Sequence, residues 1–105
     1  MQGKSPVVLD PVLHQPVRTR IAAFLMARGE STFSDLKKAL AITDGNLDAH
    51  MKKLVAGHYV LARKESGHGR PQTYYTMSAS GEERFRRYIQ ILQGVLQPIQ
   101  SDRGD

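Results

Sequence analysis

The stretch Thr43-Asp44-Gly45-Asn46-Leu47-Asp48-Ala49-His50-Met51-Lys52-Lys53-Leu54 decides how this chain folds. A helix turns about 100° per residue, so Leu47, Met51 and Leu54 share one face. Gly45, Asp48, Ala49 and Lys52 point away from it, flanked by Asn46 and Lys53. The apolar stripe is narrow, and the opposite side is too small, polar and basic to pack a core. Thr43 has the side chain of an N-cap, and Asp44 stands at the positive end of the helix dipole. Gly57 marks where the helix runs out.

Upstream, Phe33, Leu36 and Leu40 share a face of a shorter helix, Phe33 to Leu40, with Thr32 as its cap and Asp35 in its first turn. Ala41 and Ile42 leave only a tight connection between the two, so the pair reads as a helix-turn-helix. Pro16 opens an earlier helix that Gly29 closes, with Val17, Ile21, Phe24 and Leu25 recurring at helical spacing. Before it, Asp10 and Pro11 suit the cap and first position of one additional turn. Downstream the period changes to two. Tyr59–Glu65 and Gln72–Met77 are rich in β-branched and aromatic residues and flank Ser66-Gly67-His68-Gly69-Arg70-Pro71, which reads as a β-hairpin with a long tip. Ser78 caps a last helix from Ala79 to Gln97, with Glu82 and Glu83 in its first turns and Pro98 just past its end. Phe85, Tyr88, Ile89, Leu92, Val95 and Leu96 form a near-heptad stripe on it. Residues 1–9 and 98–105 read as flexible tails around a domain over 10–97. Three helices, two strands and a final helix make an α+β fold, a winged helix-turn-helix.

A chain of 105 residues is one domain, without room for a second that carries its own ligand pocket. Its 15 Lys and Arg against 10 Asp and Glu give a formal charge of +5, which favours an anionic partner. Cysteine is absent, so there is no disulfide framework and no thiolate metal site, and a reducing cytoplasm is expected. The first ten residues hold no apolar core of signal-peptide length, and no apolar run nears the roughly 18 residues of a membrane span. His14, His50, His58 and His68 do not fall at metal-ligand spacing on a helix, so no metal is expected. Nothing arranges Ser, His and Asp as a triad and no Gly-rich phosphate loop occurs, so neither an enzyme nor a cofactor is expected.

These stretches resemble the winged-helix DNA-binding domains of MarR-like and ArsR-like transcriptional regulators. The likeness is to a small single-domain group marked by a "TDGNL…HLKKL…GYV" segment and a "TPAG"-like start to the last helix. Here they read Thr43-Asp44-Gly45-Asn46-Leu47, His50-Met51-Lys52-Lys53-Leu54, His58-Tyr59-Val60 and Ser78-Ala79-Ser80-Gly81. Asp10 to Arg18 also looks like the group's opening, and the match spans about residues 10–97. Two positions depart from it. His58 stands where the group has Gly, with Gly57 one place earlier, and Ala49 stands where related regulators place Arg, Gln or Ser. The resemblance to MarR-like proteins implies that any effector lies between the last helix and the first across a dimer, and no residue pattern identifies one.

The third helix is sized for a major groove. Asn46 suits adenine, Asp48 a cytosine amino group, and Lys52 and Lys53 a guanine edge or a phosphate. Thr43 and the amides near Gly45 suit a phosphate at the helix N-terminus, and Ala49 contributes no base hydrogen bond. Asp44 and Asp48 oppose the phosphate backbone. On the wing, Arg63, Lys64, His68 and Arg70 crowd the tip, with Arg70 the first choice for minor-groove insertion. The stripe on the last helix is longer than a monomer core needs, which predicts a homodimer through Phe85, Tyr88, Ile89, Leu92, Val95 and Leu96. Two-fold symmetry then sets the reading helices about 34 Å apart on a pseudo-palindromic operator in double-stranded DNA. The expected function is a transcriptional repressor. The alternative is a winged helix serving as a protein–protein or non-specific architectural module.

Overall fold

Capping chemistry sets where the helices begin. The computed structural model describes residues 8–66 and 69–103, and side chains as far as residue 97. Its elements are α1 (Pro16–Arg28), β1 (Ser31–Thr32), α2 (Phe33–Leu40), α3 (Asp44–Ala56), β2 (Val60–Glu65), β3 (Gln72–Met77) and α4 (Ala79–Arg103). Gln15 accepts from the Arg18 amide at 2.8 Å, and Pro16 opens α1 because it has no N–H to satisfy. Thr32 and Asp35 form a reciprocal capping box, both bonds 3.0 Å, and the Thr32 amide holds the Asp35 carboxyl below its ordinary pKa. Thr43 Oγ1 accepts from the Asn46 amide at 3.2 Å at the start of α3. The extra turn before α1 is present: Asp10 Oδ1 accepts from the amides of Val12 and Leu13 at 2.9 and 3.0 Å. That turn seats Leu13 in the core.

The end of α3 explains the displaced glycine. The Tyr59 amide donates to the Leu54 carbonyl at 2.9 Å and the His58 amide to that of Val55 at 3.0 Å, a Schellman closure. The left-handed residue that this closure requires is His58, at φ 64°, whereas Gly57 sits at φ −86°. Gly57 serves close approach: a Cβ there would stand 2.7 Å from the Tyr59 ring. Tyr59 cannot swing aside, because it is buried and donates its hydroxyl proton to the Asp10 carboxylate, whose oxygens lie 2.9 and 2.8 Å away. With Tyr59 used in this closure, β2 starts at Val60, one residue later than alternation alone indicates.

The sheet is antiparallel in the order β1-β3-β2. β1 is an addition to the sequence reading. Its two residues oppose Tyr75 and Tyr74 and owe their strand character to β3 rather than to any pattern of their own. Val60 opposes Met77, Ala62 opposes Tyr75 and Lys64 opposes Thr73, so these share one face. Leu61, Arg63 and Glu65 share the other with Thr76, Tyr74 and Gln72. Val60, Tyr75 and Met77 join Ile21, Leu25, Leu36, Leu40, Leu47, Met51 and Leu54 in a single core.

α4 differs from expectation at both ends of its stripe. Phe85 and Tyr88, expected on a dimer face, are buried in the protomer's own core at 7 and 3 % exposure. They lie over the sheet and the N-terminal turn, and the Tyr88 hydroxyl is 2.9 Å from His14 Nδ1. Ile89 and Leu92 pack along the core's edge, whereas Val95 and Leu96 remain 43 and 47 % exposed. The helix does not stop at Gln97 but runs through Pro98 to Arg103. A proline inside a helix withdraws its own N–H and its ring crowds the carbonyl four residues earlier, so continuation through Pro98 goes against the local preference that set the expected end. Among the described residues, no helix is long and apolar enough to cross a membrane.

Candidate nucleic-acid interface

α3 is anchored by Leu47, Met51 and Leu54, each at most 2 % exposed. Thr43, Gly45, Asn46, Asp48, Ala49, Lys52 and Lys53 are all exposed, the first as the cap and the others on the side of the helix away from its buried stripe. The two acidic residues that would repel phosphate each carry a lysine counter-charge. Lys37 Nζ of α2 is 2.9 Å from Asp44, and Lys52 Nζ is 3.0 Å from Asp48 one turn earlier. Exposed pairs of this kind contribute about 0.2–1 kcal/mol, so a duplex can redirect either lysine at little cost.

Behind α3, Arg18 is a residue that sequence reasoning missed. Its Nε donates to the Val12 carbonyl at 2.6 Å, and its Nη1 lies 3.1 Å from His50 Nδ1. It therefore ties the turn before α1 to the inner rim of α3. Burial, then the charges of Arg18 and Lys53, push the His50 pKa below its ordinary value, which suits a neutral imidazole whose Nδ1 accepts a hydrogen bond from the guanidinium.

The wing candidates separate by face. Lys64 lies on the side turned to α3, where an open groove of about 410 Å³ is lined by Asp48, Met51, Lys52, Val55, Ala62, Lys64, Thr73 and Tyr75. Burial, and secondarily Asp48, raises the Tyr75 pKa above its ordinary value. Arg63 lies on the opposite face, held by Glu30 and Glu65. Arg70 is exposed near the tip. His68, with Gly67, lies outside the described residues. The structure thus brings Lys52 and Lys64 to one groove and leaves Arg63 off it.

The end of α3 is joined to the start of α4. Ser78 Oγ donates to the His58 carbonyl at 2.7 Å and accepts from the Gly81 amide at 2.8 Å. Arg84 donates to the Gly57 carbonyl at 3.0 Å and stacks 4.5 Å over the Tyr59 ring. Gly81 is required at this junction, since any Cβ would collide with the Tyr59 carbonyl.

Comparison with known proteins gives the same fold. A family described as the winged helix DNA-binding domain matches residues 17–96. An uncharacterized protein of Methanocaldococcus jannaschii is 36% identical over 83 residues, 78% of this chain and 90% of that protein. The transcriptional regulator homologue protein from Pyrococcus horikoshii OT3 is 33% identical, and its structure superposes with a TM-score of 0.78 over 84% of this chain and 87% of its own. A protein assigned to the MarR family of transcriptional regulators in Enterococcus faecalis V583 superposes with a TM-score of 0.77 over 90% of this chain and 84% of its own. At 15% identity, that likeness is one of fold alone. The chain belongs to the winged helix DNA-binding domain family.

Proposed function

We propose that this protein is a homodimeric transcriptional regulator that reads a pseudo-palindromic operator in double-stranded DNA and represses by occlusion. The supporting observation is the outer surface of α3: exposed, small enough to enter a groove and anchored on three buried residues. Asn46 takes an adenine, Asp48 a cytosine amino group once Lys52 turns to phosphate, and Lys53 a second phosphate or guanine. Thr43 and the amides near Gly45 hold a phosphate at the helix start. Lys64 and Arg70 engage the flanking backbone and minor groove from the wing. Val95 and Leu96, with Ile89 and Leu92 beside them, pair α4 with a second copy, which places the two α3 helices about 34 Å apart.

Selection of bound fragments from genomic DNA, followed by footprinting, tests the reading. Enrichment of two half-sites about 10–10.5 bp apart is expected, and random enrichment would overturn it in favour of a non-specific architectural module. On the selected operator, Asn46→Ala relaxes the preference at one base pair by about 1–3 kcal/mol. Arg70→Ala weakens binding through the flanking minor groove.

A further inference from the structure

Arg63 faces away from α3, and its half-exposed guanidinium has two carboxylate partners and an aromatic ring beside it. Nη2 donates to Glu30 Oε1 at 3.0 Å, Nε reaches Oε2 of the same carboxylate at 3.4 Å, and Nη1 pairs with Glu65 at 3.0 Å. The plane stands 4.6 Å over the Tyr74 ring. Glu30 precedes β1, and β3 lies between β1 and β2, so this one side chain spans the sheet. Among the described residues, Arg63–Glu30 is the ion pair that joins the hairpin to the helical body.

The hairpin requires such a tie. β1 pairs only with Tyr74 and Tyr75, so β2 and β3 project beyond the third strand from the Lys64–Thr73 pair outward, immediately past Arg63, and Lys64, Glu65 and Ser66 are all exposed. A two-stranded ribbon without a core beneath it is marginal and twists freely. A planar fork closing on two carboxylates above an aromatic ring limits that twist in a way that a flexible ammonium does not.

We propose that Arg63 is a positioning residue, which fixes the tilt of the wing against the body so that Arg70 meets the duplex at a set angle to α3. The consequence for DNA rests on the function proposed above; the clamp itself does not. Glu30→Gln and Arg63→Lys in the full chain test both. In the free protein, amide hydrogen exchange at Glu65 and Gln72, the outermost hydrogen-bonded pair of the ladder, is expected to quicken in both variants, and exchange unchanged from wild type would overturn the clamp whatever the protein binds. On the selected operator, Glu30→Gln removes a negative charge and should tighten binding if Arg63 touches phosphate. A positioning role predicts weakening instead, by about two- to fivefold, with an unchanged salt slope. Arg63→Lys keeps the charge and should weaken binding equally. Tighter binding by Glu30→Gln, or full affinity in Arg63→Lys, would make Arg63 an ordinary contact. Faster exchange without any selectable operator would leave the clamp standing and remove the DNA reading.

Discussion

Helix termini favour glycine in the left-handed conformation, yet α3 places His58 there and uses Gly57 to clear the Tyr59 ring. The two substitutions therefore act in opposite directions. His58→Gly relieves the backbone and should raise stability by about 0.5–1 kcal/mol. Gly57→Ala forces a methyl against a ring that Asp10 holds and should cost about 1–3 kcal/mol. Urea midpoints at constant slope would register both. His50 supplies a pH dependence. Its pKa is lowered by folding, so the unfolded chain binds the proton more readily. The stabilisation is full above the unfolded value near 6.5 and is lost as pH falls through the lower folded value. The urea midpoint should accordingly drop more between pH 7.5 and 5.5 in wild type than in His50→Gln. An equal drop would remove His50 from the account.

Thr32 and Thr43 cap consecutive helices by the same chemistry, and only Thr43 stands at the start of α3, the helix proposed to read DNA. Thr32→Ala and Thr43→Ala should each cost about 1 kcal/mol in denaturation. The loss of operator affinity in a gel-shift titration should fall mainly on Thr43→Ala. These caps also explain why so much of the fold was legible. A helix start depends on residues three apart, and a strand face on residues two apart, so α1, α2, α3 and the hairpin lay within reach of local pattern. β1 did not, because two residues become a strand only when Tyr74 and Tyr75 lie opposite. The same reason hid the partners of the candidate site. Glu30 is 33 residues from Arg63 and Arg18 is 32 from His50, and no periodicity reports such pairings. The stripe on α4 was visible as a stripe. Spacing could not say that Phe85 and Tyr88 face this protomer's core while Val95 and Leu96 face outward.

Across the whole molecule, that division along α4 gives separable effects. Leu96→Asp should dissociate a dimer in sedimentation while leaving the protomer's denaturation nearly unchanged, since Leu96 lies outside the core. Phe85→Ala removes buried volume and should cost about 3–5 kcal/mol in the protomer itself. A Leu96→Asp variant that sediments like wild type would place the partner elsewhere or nowhere. The joint between α3 and α4 carries a further consequence. Ser78, Gly81 and Arg84 fasten the first turns of α4 to the backbone at Gly57, His58 and Tyr59, so the end of α3 and the start of α4 are held together directly. In a dimer, the two α3 helices then behave like the jaws of a caliper whose pivot is the far end of α4. Small changes in how the α4 helices cross would reset the distance between half-sites while leaving every base-reading residue untouched, so operator spacing and operator sequence can drift independently in evolution.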